Sequence, residues 1–441
     1  MTHGIVPKLP GSKEVMASTI AQASRRWRVF SAILVVCVAS ATAVWVFSPV
    51  RRQAAATPAP ALGVELSNEI QRGAYVARAA DCAPCHTAPD GKPFSGGRIL
   101  KTDFGDMASP NITPDTETGI GGWTRNEFAT AVREGVAPHL GFLYPTMSYT
   151  SYSKMSDSDI DALYAYIMSQ PPVRAPRTEM SLSFPFNLRM LLAGWRKLYF
   201  DNSEFKADPA VSDVVNRGAY LVQGAAHCAE CHTPRDALGG FDRSRPLAGA
   251  TIDGFWAPNL TTDPKTGLGG WSEDDIYAYL SGKDTPHGGP FGPMHEVVAE
   301  STSHLTEGDN RAIAAYLHQL KPIESVSTGV LDRSLAQASV TRGYAAYKAN
   351  CAACHRMGGD GVPGLAPPLA GHHALSASSQ NVIMPVIAGL SGQTGRLSMP
   401  AFELDDQTVA DIANYVRSAM GGVTDATATA DQVASARAKL H

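Results

Sequence analysis

Cys82-Ala83-Pro84-Cys85-His86 is the stretch whose reading decides the fold. The same spacing, Cys-x-x-Cys-His, returns at Cys228-Ala229-Glu230-Cys231-His232 and at Cys351-Ala352-Ala353-Cys354-His355. Together the three copies take six of the seven cysteines; the seventh, Cys37, sits in an apolar run as a small apolar residue. On a helical turn, positions i and i+3 share a face, so both thiols of a copy reach one edge of the same partner. The His that follows projects beside them.

This spacing is the attachment signature of c-type haem. Two thiols add covalently to the porphyrin, and the adjoining imidazole ligates the iron from one side. Zinc would pair two Cys-x-x-Cys units, or one unit with a His pair. A thioredoxin-like redox motif would occur once, beside a βαβ pattern. Three identical units, each with its own His and more than a hundred residues apart, fit three haems better. Cys82, Cys85, Cys228, Cys231, Cys351 and Cys354 are the expected attachment points, and His86, His232 and His355 the proximal ligands.

At 441 residues the length suggests about three domains, one per motif. A net charge of -4 with 18% charged residues offers no basic surface, so nucleic acid is not an expected partner. Forty Gly and thirty Pro point to irregular chain between helices, as in small domains wrapped around a cofactor.

Residues 29–50, VFSAILVVCVASATAVWVFSPV, run for 22 residues without a charge. As a helix this spans roughly 33 Å, against a bilayer core of about 30 Å. The run is expected to be a transmembrane anchor, with a signal segment as the competing reading. Arginines flank both ends, so the charge bias is weak. Covalent c-haem is assembled outside the bacterial cytoplasm, which places the bulk of the chain in the periplasm, at the inner membrane.

The repeat extends beyond the cysteines. Arg72-Gly73-Ala74-Tyr75, Arg217-Gly218-Ala219-Tyr220 and Arg342-Gly343-Tyr344 each precede a motif and open a helix leading into it. Asn111 to Trp123 matches Asn259 to Trp271 at an offset of 259 − 111 = 148, so the first two units are duplicated domains. A third helix closes each unit, over Asp157–Ser169, Thr306–Leu320 and Asp405–Ala419, with Ser, Thr or Asp as N-cap. The fold class is therefore mainly α: three tandem cytochrome c-type domains with an N-terminal transmembrane helix. The expected segments are a cytoplasmic N-terminus (1–28), the anchor (29–50), a linker (51–64) and domain one (65–175). A linker with an amphipathic helix (176–209), domain two (210–325), domain three (335–421) and a polar tail (422–441) follow.

A six-coordinate haem needs a distal ligand, and Met raises the potential while leaving no vacant position. Met147, Met294 and Met399 are the candidates, with Met155 and His295 as local rivals. Pro110, Pro258 and Pro367 lie where a carbonyl can orient the proximal imidazole. His139, His287, His372 and His373 read as surface or loop residues.

The chain resembles the three-haem cytochrome c subunits of membrane-bound bacterial dehydrogenases, the alcohol, gluconate and aldehyde dehydrogenase group. RGAYVARAADCAPCHT, PNITPDTETGIGGW, LYPTMSY and KMSDSDIDALYAYI carry the likeness, with APNLTTDPKTGLGGW, GPMHEVVAESTSHL and CAACHRMGGDGVPGLAPPLAG. It covers Glu65 to Met420. The resemblance implies an electron-transfer subunit, not catalytic alone. It would take electrons from a catalytic subunit of flavin, pyrroloquinoline quinone or molybdenum type and pass them through three haems to ubiquinone in the lipid bilayer. It also places Met147, Met294 and Met399 at the family's distal positions, although Ser148 and His295 depart from the residues that usually follow. The Phe184-Pro185-Phe186-Asn187 stretch is similar to cytochromes serving molybdenum hydroxylases. Two other readings remain: an autonomous haem enzyme such as a peroxidase, and a stand-alone anchored carrier.

Overall fold

The helix that leads into each cysteine motif crosses the helix that closes the same domain, and a glycine sets the crossing. The structure, a computed structural model, describes residues 35, 37–38, 40–42, 44–54, 68–325, 333–391, 398–423 and 428–440. Domain one contains α1 (Glu69–Ala79), a hairpin of β1 (Ile99–Thr102) and β2 (Gly105–Ala108), α2 (Arg125–Glu134) and α3 (Asp157–Met168). A short strand, β3 (Ser181–Leu182), follows it. Domain two contains α4 (Asp213–Gln223), a hairpin of β4 (Ala250–Ile252) and β5 (Phe255–Ala257), α5 (Glu273–Leu280), α6 (Pro293–Glu300) and α7 (Glu307–Leu317). Domain three contains α8 (Arg333–Asn350), α9 (Gln380–Ala388) and α10 (Asp406–Ala419).

The packed pairs are α1 with α3, α4 with α7 and α8 with α10. A Cβ on Gly73 would stand 1.9 Å from the Ala162 carbonyl oxygen, one on Gly218 1.9 Å from that of Ala312, and one on Gly343 2.0 Å from that of Asp411. Only a residue without a side chain lets the backbones approach this closely. The closing helices start as their sequences dictate. Ser156, Thr306 and Asp405 sit in extended backbone and accept from the amides of Asp159, Asp309 and Thr408.

One apolar core joins domains one and two, running from Val76 and Ile160 to Tyr220 and Ile313. Domain three has its own, centred on Tyr347, Ile383, Val409 and Ile412. Between the first two domains the polar contacts are reciprocal. Arg72 donates to Asp159 Oδ1 at 3.0 Å within domain one, and Tyr220 of domain two donates to Asp159 Oδ2 at 2.5 Å. Arg217 donates to Asp309 Oδ1 at 2.8 Å within domain two, and Tyr75 of domain one donates to Asp309 Oδ2 at 2.6 Å. Each Tyr oxygen also accepts the first backbone amide of the other domain's closing helix, from Ser156 and Thr306, at 3.1 Å.

Two compact units are distinguished, one of residues 1–51 with Met190–Phe200, the other of residues 52–189 and 201–441. In the smaller unit, Leu192–Tyr199 is helical, and Lys197 donates to Ser48 Oγ at 2.9 Å and lies over the Trp45 ring. The expected transmembrane helix is not borne out: among the described residues no helix is long and apolar enough to cross a membrane. Its described helical residues lie between Val35 and Phe47. Residues 29–34, 36, 39 and 43 of that expectation, the segment 1–28 and most of the linker 51–64 lie outside the described residues.

Two further segments add detail to the expected linker and tail. In the linker, Ser181 and Leu182 pair with Asp106 and Gly105 as the outer strand of the first hairpin. A 3₁₀ turn, Arg189–Leu191, then leads into the helix. The polar tail ends in a helix, Ala430–Leu440, that buries Val433 against α9 and α10.

Candidate haem sites

Each cysteine motif forms a single helical turn, and its His backbone amide donates to the carbonyl of the first Cys at 3.0 Å in all three copies. The turn therefore holds both thiols and the imidazole in one fixed arrangement. His86 Nδ1 lies 2.9 Å from the Pro110 carbonyl oxygen, His232 Nδ1 2.6 Å from that of Pro258, and His355 Nδ1 3.1 Å from that of Pro367. A carbonyl only accepts, so Nδ1 carries the proton and Nε2 keeps its lone pair for a metal. Burial pulls all three imidazole pKa values below their usual range, which favours the neutral, ligating form. The three prolines singled out in the sequence thus supply the orienting carbonyls.

The site of domain two is a chamber lined by described residues. Cys228, Cys231, His232 and Met294 line one cavity, whose empty volume is about 1420 Å³ with its open mouth included. Phe255, Leu268, Ile313 and Leu317 supply apolar walls. Two thiols on one edge, an imidazole with a free lone pair and a thioether within one apolar chamber fit a covalently held porphyrin with two axial ligands. His295, the rival of Met294, is not among the residues lining the chamber. Met155, the rival of Met147, is wholly buried in the shared apolar core.

Domains one and three repeat the pattern. Met147 and Cys82 pack against the core shared by the first two domains. Met399 and Cys351 pack against the core of domain three, where Met399 exchanges backbone hydrogen bonds with Leu390 at 3.0 and 2.9 Å. Among the described residues no group of three or more His, Cys, Asp or Glu side chains converges to hold a metal ion. Burial pushes the Cys82, Cys228 and Cys231 thiols up to about 12.

Several residues at the domain-two cavity were not foreseen. His287, His372 and His373, expected as surface or loop residues, line it. His287 stacks on Trp271 with ring centroids 4.5 Å apart, and His372 Nε2 donates to the Gly289 carbonyl at 3.1 Å. Asp81 of domain one also lines it, with a left-handed backbone at φ 49°. Burial, then the Glu296 and Glu300 carboxylates, push the Asp81 carboxyl up to about 7. No local pattern signals these positions, because each acts through contacts distant in the chain.

Comparison with known proteins agrees with this geometry. The cytochrome c family model matches residues 70–171, 215–321 and 340–420. The cytochrome c subunit of the quinone alcohol dehydrogenase of Komagataeibacter europaeus is 40% identical over 395 residues, covering 83% of this chain and 84% of that one. The gluconate 2-dehydrogenase cytochrome c subunit of Pantoea cypripedii is 38% identical, covering 83% of this chain and 89% of its own length. The fructose dehydrogenase cytochrome subunit of Gluconobacter japonicus is 37% identical over 403 residues, covering 84% of this chain and 82% of that one. The chain belongs to the cytochrome c family. Its cofactor is covalently bound haem c, one for each of the three matched segments.

Proposed function

We propose that this chain is the electron-transfer subunit of a dehydrogenase complex. Cys82 and Cys85, Cys228 and Cys231, and Cys351 and Cys354 tether the three haems. His86, His232 and His355 ligate the irons on one side, and Met147, Met294 and Met399 on the other. Bound haem supplies one-electron chemistry; the protein fixes ligand, burial and spacing. The observation that carries this reading is the enclosure of His232 and Met294 in one cavity with the Cys228–Cys231 pair. An iron held by both His232 and Met294 would suit transfer of electrons rather than attack on a small substrate.

The partner is a catalytic dehydrogenase subunit, as the names of the relatives indicate for those proteins. Covalent haem c attachment supports a periplasmic site at the inner membrane, with ubiquinone in the lipid bilayer as the acceptor. Purification from solubilised membranes tests both halves. Three haems per chain, a dehydrogenase activity that co-elutes, and no prompt carbon monoxide binding after reduction are the expected results. Stoichiometric carbon monoxide binding at one haem would favour an autonomous enzyme instead. Met294→Ala should open that position and admit carbon monoxide at one haem of three.

A further inference from the structure

In the first two domains, the segment that carries the methionine is tied to the cysteine turn of the other domain. Met147 is followed by a short helix, Tyr149–Tyr152. From it, Thr150 Oγ1 and Ser151 Oγ donate to Glu230 Oε1 of domain two at 2.7 and 2.8 Å. Glu230 is the second variable residue of Cys228-Ala229-Glu230-Cys231-His232. Its side chain is only 10% exposed, and Arg235 donates to its other oxygen at 2.5 Å. Beside this contact the Tyr152 ring meets that of His227, the residue before Cys228, with centroids 5.6 Å apart.

The return contact runs the other way. Met294 lies in α6 of domain two, and α6 packs against the Cys82–Cys85 turn of domain one. Arg98 of domain one donates through both terminal nitrogens to Glu296, two residues beyond Met294, with Nη2 2.8 Å from Oε2. The same guanidinium donates at 3.0 Å to the Pro84 carbonyl, inside the turn. A bidentate pair of this kind fixes direction as well as distance. Domain three is built differently: Ala353 stands where domain two has Glu230, and Met399 pairs through its backbone with Leu390 of its own domain. A thioether is neutral and flexible, so its grip on a metal depends on the chain that holds it in place.

We propose that Glu230 and Arg98 are positioning residues that act across the domain boundary. Glu230 of domain two holds the Met147 segment for the iron of domain one, and Arg98 of domain one holds α6, with Met294, for the iron of domain two. The inference rests on the methionine ligation proposed above.

Carbon monoxide binding and redox titration of the haem-loaded full chain test the exchange. Met raises a haem potential and fills the position that carbon monoxide needs. Met147→Ala and Met294→Ala should each open one haem of the three and lower its midpoint potential, which assigns both sites. Glu230→Ala should open the haem of domain one, although Glu230 sits between the cysteines of domain two. Combined with Met147→Ala it should open no second haem; combined with Met294→Ala it should. Removing a negative charge by itself raises a potential, so a fall at the haem of domain one reports the loosened ligand. Glu230→Gln keeps an oxygen for both hydroxyls and should behave as the parent. Thr150→Val with Ser151→Ala breaks the contact from the other side and should repeat Glu230→Ala. Arg98→Leu should open the haem that Met294→Ala opens. Three bound haems that stay closed in Glu230→Ala and Arg98→Leu, or variants that each open only the haem of their own domain, would overturn the proposal. Haems that stay closed in Met147→Ala and Met294→Ala would strike the methionine ligation instead.

Discussion

Asp309 of domain two and Asp411 of domain three stand on the closing helices of their domains, each facing the Arg of the entering helix. Their surroundings differ. Asp309 holds Arg217 and is capped by Tyr75 from domain one, and both members of the ion pair are buried. Asp411 holds Arg342 at 2.6 Å, but its other partners, Ser339 and Gln407, come from its own domain, and Arg342 is half exposed. The sequence marks the difference. Domains one and two have Tyr three residues after Arg; domain three has Ala345 there and Tyr344 one position earlier. The two changed positions separate an aspartate capped by a tyrosine of the neighbouring domain from one satisfied by side chains of its own. Domain three also reads backbone of domain two: Asn381 accepts from the Trp256 amide at 2.8 Å and donates to the Trp256 carbonyl at 2.9 Å.

The largest test of this contrast is the carboxylate itself. Asp309→Ala leaves Arg217 buried and unpaired, a loss of about 3–5 kcal/mol. Asp411→Ala leaves an Arg342 that solvent reaches and should cost clearly less. Denaturant unfolding followed by circular dichroism would measure both, and equal losses would break the contrast. The glycine crossings provide the control that should not discriminate. Gly73→Ala, Gly218→Ala and Gly343→Ala each force the same backbone clash, so each should cost on the order of 1–3 kcal/mol in its own domain.

Smaller effects separate the tyrosines. Tyr75→Phe and Tyr220→Phe each remove a hydroxyl from a buried carboxylate and should cost roughly 1.5–3 kcal/mol. Tyr344→Phe, at an exposed position, should be near neutral in the same melts. The exchange also carries a pH signature. Burial and then Asp309 push Tyr75 from 10 up to about 12. Its folded pKa is the higher one, so its stabilising share is complete below pH 10 and is lost as pH rises toward about 12. Tyr75→Phe should flatten that slope; an unchanged alkaline profile would count against the contact.

Much of each haem site was legible because it is local. Cys-x-x-Cys-His folds as one turn whatever surrounds it. Pro110, Pro258 and Pro367 could be singled out by their place in the repeat, and their carbonyls do orient the three imidazoles. Met294 followed from the same repeat. The histidines did not. His287, His372 and His373 look like surface or loop residues in the chain, but their segments close over the cavity of another domain or of their own, with His373 at the start of a short helix. The apolar run near the N-terminus shows the opposite failure. Composition alone suggested a span, whereas no described helix reaches the required length.

The sequence by itself determined the three haem turns, the capped helices and the glycine at each crossing. Those features depend on residues within one turn, or on a repeat that can be laid over itself. Only the tertiary structure decided that Tyr75 serves Asp309, that Tyr220 serves Asp159, and that His373 faces the chamber of domain two. Periodicity reveals which face of a helix is buried, but the partner on that face lies up to 234 residues away and leaves no local trace.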